Sequence, residues 1–328
     1  MMKDKVSVLV TFYNQERYVD AALESILSQK TVFGVKIIVG DDGSCDGTCD
    51  AVRRWMERYP GRIDLHVADA PGKEERIPGF CASKNRIGLL KYVDTEYFIF
   101  LDGDDHFTGD DKLQRQADIL DSDQNQDCIA CGHNTSIASA DGTEKTTCDP
   151  SLKEGKISAR KYWRDLYFHT DSILFRSSVI PKLDLDLLEN SFNDNMITFS
   201  ALRYGKIYYI PMNRAVYLQT GDGIWTSGRK TENLIRNMMF YDLSVKLMPS
   251  MRSISLSRFN YLWDELPRIR KEIDPGLLAG FASEAGSKKL KNAYRWIMYK
   301  DQSPLRKAAM LTGAFFIKSA APVLRHLP

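Results

Sequence analysis

Short β-branched apolar runs alternate with amphipathic stretches along the first hundred residues. The run VSVLVTF (6–12) has the composition of a strand buried on both faces. In the following YNQERYVDAALESILSQ, Tyr18, Ala22, Ile26 and Leu27 recur at helical spacing. VKIIVGDDGS (35–44) predicts a second buried strand ending in a tight acidic turn, and DGTCDAVRRWMERYP (46–60) a second helix stopped by Pro60. RIDLHVAD, ASKNRIGLLKYV and YFIFLDGDD then predict a third strand, a third helix and a fourth strand. Strands alternating with helices imply an α/β fold with a mostly parallel central sheet and helices on both faces.

In such sheets ligands sit beyond the carboxyl ends of the strands. Asp41, Asp42, Asp102, Asp104 and Asp105 all fall at strand ends of that kind, so two acidic turns distant in sequence are expected at one edge. After about residue 115 the pattern is mixed. CIACGHNTSIA and KIYYIPMNRAVYLQ read as strands, and NSFNDNMITFSALRYG as a helix with Gly205 just past its end. From about 230 onward the chain reads as helical, with Trp263 and Trp296 on apolar faces, and no internal repeat or low-complexity block interrupts it.

Charge alters this picture mainly at one end. The 328 residues carry a net +2, which argues against a nucleic-acid binder with a globally basic surface. Residues 286–328, however, hold nine Lys or Arg and one acid, a net +8, leaving about −6 on the rest. A basic tail rich in aromatics is a candidate membrane-surface or partner-binding element, and a solvated basic helix packed on the core fits it as well. No run of about 18 uncharged apolar residues occurs, since AAMLTGAFFIKSAAPVL (308–324) is broken by Lys318 and Pro322. The first residues lack the layout of a signal peptide, so a cytoplasmic chain with six reduced cysteines is expected. CIAC (128–131) has the spacing of half a zinc site, but no histidine sits at a matching interval.

The densest chemistry lies in YFIFLDGDDHFTGDDKL (97–113), where Asp102, Asp104, Asp105, Asp110 and Asp111 fall within ten positions. Carboxylates crowded this closely repel unless cation or solvent screens them. The stretch superficially matches a calcium loop but lacks the closing Glu at the twelfth position. His106 stands beside the turn as a lone histidine and a weaker candidate ligand. Neither a phosphate loop of the G-x-x-x-x-G-K-[ST] type nor a G-x-G-x-x-G after the first strand is present, which disfavours a nicotinamide enzyme.

The ordered set TFYNQERYVDAALESILSQ, IIVGDDGSCDGT, ASKNRIGLL and FIFLDGDDHF resembles glycosyltransferase family 2, over roughly residues 6 to 225. The resemblance implies a GT-A-type nucleotide-sugar fold, a divalent metal (Mn²⁺ or Mg²⁺), a nucleotide-diphosphate sugar donor with a UDP-sugar foremost, and transfer to a hydroxyl with inversion. It implies that Thr11 and Tyr13 line the base pocket and that Asp41 or Asp42 accepts from the nucleobase. PGFCASKNR matches the loop that contacts ribose and phosphate, with Lys84 and Arg86 as phosphate partners. Asp102 and Asp104 would face the nucleotide and sugar, and Asp104 and Asp105 the metal.

The family's base sits in an acidic pair opening a late helix; Asp194 occupies that place, preceded by Asn193 where Glu is usual, with Glu189 and Asp186 next in line. An acid favoured by the helix dipole fits Asp194 too. YLQTGDGIWTSG resembles a segment that often brings Arg or His to the diphosphate; here Arg214 or Arg229 would substitute, and Trp225 would wall an acceptor sugar. Together these expectations describe a transferase domain over 1–228 and a basic helical region over 229–328 that is a candidate for membrane association at the inner face, with a glycan or lipid-linked glycan as acceptor. A non-catalytic sugar- or nucleotide-binding protein, or a nucleotidyltransferase, are the competing classes.

Overall fold

The structure, a computed structural model, describes residues 2–68, 78–139, 144–189, 191 and 194–220, with part of 234–262. The expected alternation is present. Strands β1 (Asp4–Phe12), β2 (Gly34–Asp41), β3 (Ile63–Val67) and β4 (Tyr97–Asp102) are separated by helices α1 (Val19–Leu27), α2 (Thr48–Arg58) and α3 (Pro78–Gly88). Parallel pairing places them in the order β3-β2-β1-β4. Val6, Val8, Val10, Ile37, Val39, Ile99 and Leu101 point from these strands to one face, where α1, α2 and α4 (Lys112–Asp121) cover them with Leu23, Ile26, Val52, Trp55, Leu113 and Leu120. Each such side chain contributes roughly 1.5–3 kcal/mol by leaving water, so the two-faced apolar pattern of the strands fixes the layering. On the other face α3 reaches the sheet, and Asn85 Nδ2 donates to the Gly40 carbonyl at 2.9 Å.

Beyond β4 the sheet is mixed. The short β9 (Ile173–Arg176) runs antiparallel to both β4 and β6 (Cys128–Ser139), and β6 pairs in parallel with β10 (Lys206–Gln219). A two-residue strand, β5 (His106–Phe107), and β8 (Gly155–Ile157) add to β10 antiparallel, and β7 (Glu144–Thr146) to β6, completing a ten-stranded sheet among the described residues. The β10–β6 register slips between Tyr209 and Asn213, around Pro211, whose missing N–H cannot serve a regular ladder.

One local expectation is corrected. The third helix was read from ASKNR onward, with PGFC ahead of it in a ligand loop, whereas α3 is already helical from Pro78, a residue suited to a first helical turn because its nitrogen needs no partner there. The shorter helices α5 (Ala159–Asp165), α6 (Leu185–Glu189) and α7 (Asn195–Ala201) complete the described elements of this part. Two compact units are defined: residues 1–190 with 197–226, and residues 191–196 with 227–328. Among the described residues no helix is long and apolar enough to cross a membrane. The basic segment 286–328, Trp225, Arg229, Trp263 and Trp296 lie outside the described residues.

Candidate active site

Strand register brings the acidic turns together. Thr11 is level with Gly40 on one side and Asp102 on the other, and Phe12 is level with Asp41, so β1, β2 and β4 end at one edge. The ladder continues past the strands, with the Gly103 N–H donating to Thr11 O at 2.9 Å and that of Asp42 to Phe12 O at 3.0 Å. Gly103 lies so close to the Phe12 ring that a Cβ would collide with it, and would also stand 2.6 Å from Gln15 Oε1. The glycine of the D-G-D-D turn is thus required by close approach.

The five crowded acids separate into two groups. Asp110 is paired with Lys30 at 2.6 Å, and Asp111 with Arg214 at 2.7 Å and Arg115 at 3.6 Å. These partners hold both carboxyls below their ordinary range. Asp102 takes a hydrogen bond from Arg86 Nη2 and one from Thr11 Oγ1 at 3.3 Å. Burial pushes its carboxyl up, but Arg86 foremost outweighs this and leaves it below the usual value. Asp104 and Asp105 have no Lys or Arg ion pair among the described residues. Burial, and then repulsion from Asp102, pushes Asp104 up to about 6. Asp105 is 1% exposed, and burial raises its carboxyl well above the ordinary carboxylate range.

Asp105 is held from β10: its Oδ1 accepts the Leu218 N–H at 2.9 Å, while Oδ2 has no hydrogen-bond partner among the described residues. The short β5 that follows Asp105 explains this contact, because pairing of His106 and Phe107 with Val216 and Ala215 pulls the turn against β10. Facing Oδ2 is His169, whose Nδ1 is 3.8 Å away and whose ring stacks on Tyr217 with centroids 4.6 Å apart. Ligand atoms of Asp102, Asp105 and His169 all lie within 4.8 Å of one another, the group able to hold a metal ion among the described residues. Two carboxylates and an imidazole, one carboxylate oxygen buried without a donor, are a donor set that fits a divalent cation.

Asp104 is not among those three, and neither is His106, which lies half-buried on β5. His169 is the member that sequence reasoning missed. It stands 64 positions after Asp105 in FHTDS, and neither periodicity nor a ligand-like spacing marks it.

The remaining sequence-derived candidates are placed as follows. Asp41 is fully buried, and both its oxygens accept from Ser44, at 2.8 Å from the backbone N–H and 2.6 Å from the hydroxyl. Asn14, in the left-handed region at φ 50°, ties the same turn by receiving the Cys45 N–H at 2.9 Å. Asp42 is buried, Thr11 half-buried, and Tyr13 is 39% exposed at the end of β1. On α3, Lys84 is exposed while Arg86 turns to Asp102. Asp194 precedes α7 in the second unit, its Oδ1 accepting the Asn195 N–H at 2.8 Å. All six cysteines are free thiols.

Comparison with known proteins bears on this geometry. Residues 7–183 match the family profile described as Glycosyl transferase family 2. An uncharacterized protein of Mycobacterium bovis is 27% identical over 223 residues, which cover 68% of this chain and 61% of that protein's length. The structure of S. aureus TarS 1–349 in complex with UDP-GlcNAc aligns over 90% of this chain and 88% of that one, with a TM-score of 0.58 at 15% identity. Mannosyltransferase PcManGT from Pyrobaculum calidifontis, in complex with GDP-Man and Mn²⁺, aligns over 96% and 86% with a TM-score of 0.50 at 16% identity. These likenesses establish a GT-A-type fold.

Proposed function

The chain belongs to glycosyl transferase family 2, and from that premise we propose that it is a metal-dependent glycosyltransferase moving a sugar from a nucleoside-diphosphate donor to a hydroxyl of a glycan, with inversion. The observation that carries the proposal is the buried Asp105, without a Lys or Arg ion pair among the described residues, grouped with Asp102 and His169 where β1, β2 and β4 end. A carboxylate this buried is costly unless a cation meets it, and a nucleoside diphosphate brings both the need for a cation and further oxygen ligands. The crystallised neighbours hold UDP-GlcNAc, or GDP-Man with Mn²⁺, which supports a nucleotide-sugar donor here.

Each residue has a physical task in this reading. Thr11 and Arg86 hold Asp102 ionised and oriented; the Leu218 N–H orients one oxygen of Asp105. Asp102, Asp105 and His169 would hold the divalent ion, with Mn²⁺ suited to the imidazole better than Mg²⁺. When bound, such an ion neutralises charge developing on the diphosphate as the glycosidic bond breaks. Asp104 faces the donor's ribose or sugar, Asp42 accepts from the base, and Tyr13 offers an exposed ring at the base pocket. Lys84, exposed on α3, is assigned to phosphate.

As the acceptor hydroxyl attacks the anomeric carbon, a new carbon–oxygen bond forms on one face. The bond to the diphosphate breaks on the other, and the hydroxyl proton passes to Asp194, the assigned base. Trp225 is assigned to the acceptor. A UDP-sugar as donor, a lipid-linked glycan as acceptor and attachment of the basic segment 286–328 to the inner membrane face complete the proposal.

Calorimetric titration of UDP, GDP, TDP and CDP, with and without Mn²⁺, tests the donor site. Binding of one nucleotide that requires Mn²⁺, and that an Asp104→Ala/Asp105→Ala double variant loses, is expected. Folded wild-type protein that binds none of the four overturns the reading.

A further inference from the structure

The sheet continues past the cation group on the side away from the base turn. Asp41 and Asp42 lie at the end of β2, Asp102 at the end of β4, and β9, β6 and β10 follow in that direction. Because β9 runs antiparallel to β4, its first residue, Ile173, and the turn Thr170–Ser172 ahead of it stand at the edge where β4 ends. β10 runs parallel to β6, which β9 pairs antiparallel, so the last residues of β10 reach the same edge.

Three rings meet there. Tyr217, near the end of β10, stacks on the His169 ring with centroids 4.6 Å and planes 24° apart, and Tyr167 meets that ring edge-on at 6.4 Å and 75°. The chain from Leu166 to His169 is extended, with φ −127°, ψ 150° at the first and φ −65°, ψ 149° at the second. Alternation along such a segment sends Tyr167 and His169 to one side and Phe168 to the other. Phe168 is fully buried against Tyr162 and Tyr209, which anchors the alternation. The Phe168 N–H donates to Tyr162 Oη at 3.1 Å, and the Cys148 thiol to the Tyr167 carbonyl at 3.1 Å, so the backbone on both sides of the Tyr167 ring is tied down. His169 is 4% exposed and Tyr167 43%. The cluster is therefore a wall that starts at the cation group and ends in solvent.

Leaving a large ring in water forfeits the gain of burying it, and an exposed ring on a fixed backbone is suited to contact with a ligand. A pyranose has an apolar C–H face and a rim of hydroxyls. Tyrosine matches it with an apolar ring and a polar tip. The two tyrosines bring no positive charge, so the wall suits a neutral ring better than a phosphate.

We infer that Tyr167 and Tyr217 form a pyranose-binding wall on the side of the cation group away from the base turn, taking the sugar that lies beyond the diphosphate. The inference rests on the donor-site reading above and deepens it. A pyranose in that place comes from the donor itself or from the end of the acceptor glycan, and the two sources are separated by what Tyr167 is found to hold.

The test compares the full chain with Tyr167→Ala. Calorimetry with Mn²⁺ measures UDP and GDP against UDP-glucose, UDP-N-acetylglucosamine and GDP-mannose. Saturation-transfer NMR at saturating nucleotide then measures methyl β-glucoside, methyl β-galactoside and methyl β-N-acetylglucosaminide. Affinity for the bare nucleotide is expected at the wild-type level in Tyr167→Ala, with a sugar-bearing ligand weakened about 3–10-fold. Weakening of the nucleotide-sugar places the donor's sugar on the wall; weakening of the methyl glycoside alone places the acceptor's. Tyr167→Phe keeps the ring and is expected within about 2-fold of wild type. If Tyr167→Ala does not fold by circular dichroism, Tyr167→Leu is read instead, with the same expectation.

Sugar ligands bound equally by wild type and variant overturn the wall while the donor site stands. A loss in Tyr167→Ala that is as large for the bare nucleotide overturns it too, because the ring would then serve the nucleotide. Tyr167→Phe as weak as Tyr167→Ala replaces ring contact by the hydroxyl and overturns it likewise. Wild type that binds a nucleotide but gains nothing from any sugar in either measurement removes the wall alone, and wild type that binds no nucleotide removes the donor site and the wall together.

Discussion

Arg86, on α3, donates from Nη2 to Oδ1 of Asp102 at the end of β4, so the first acid of the D-G-D-D turn is paired before any ligand arrives. Both side chains are largely shielded, at 12% and 26% exposure. Removing one partner leaves the other desolvated without compensation. Arg86→Ala should therefore destabilise the protein by about 1–3 kcal/mol, less than a fully buried pair because solvent reaches Asp102. Urea denaturation checks this; a midpoint equal to wild type would show the pair to be idle.

Gly103 stands where any Cβ would enter the Phe12 ring. Gly103→Ala should cost about 1–3 kcal/mol by overpacking and should displace the neighbouring carboxylates. The expected result is a lowered urea midpoint together with weakened Mn²⁺-dependent nucleotide binding. Wild-type binding at wild-type stability would mean that the turn tolerates the shift.

Asp194 carries the proposed proton transfer. Asp194→Asn keeps shape and removes basicity, so turnover of the nucleotide-sugar should fall by about 10²-fold or more while nucleotide affinity stays at the wild-type level. Donor titration and a product assay on the same preparation separate the two effects. Unchanged turnover would pass the role to Glu189 or Asp186.

Lys112 is fully buried, and burial pushes its amine down to about 7, against a smaller pull upward from Asp171 and Cys131. His133 is buried as well, and burial foremost, then Lys112, holds that imidazole well below its ordinary range. In the unfolded chain the amine keeps its proton up to about pH 10.5. Between about 7 and 10.5 the unfolded state thus binds more protons than the native one, and this group makes stability rise with pH. The slope expected from one proton is about 1.4 kcal/mol per pH unit. Lys112→Met should lack this rise, so the stability advantage of the variant should shrink from pH 7 to pH 9. Parallel stability–pH curves for the two proteins would contradict a neutral buried amine.

The fold was legible where its causes are local. The apolar runs at 6–12, 35–41 and 97–102 bury on both faces whatever their neighbours, and the intervening helices carry their stripes at helical spacing. Strand ends in α/β sheets converge by topology, so placing Asp41, Asp42 and the D-G-D-D turn at one edge needed only the order of elements. The four-residue β9 and two-residue β5 were not legible, since stretches this short carry no period and exist only because β4, β6 and β10 are there to pair with them.

What the sequence by itself determined is the α/β layering, the family and the crowding of five acids within ten positions. Only the tertiary structure decided what that crowding means. Lys30, Arg86 and Arg214 arrive from other elements to pair Asp110, Asp102 and Asp111, which leaves Asp104 and Asp105 without a Lys or Arg ion pair among the described residues. The same packing sets His169 beside Asp105. Charge compensation acts through space over a few ångströms, whereas Lys30, Arg86 and Arg214 lie 16 to 103 positions from the acids they pair, and no local pattern encodes a distance of that kind.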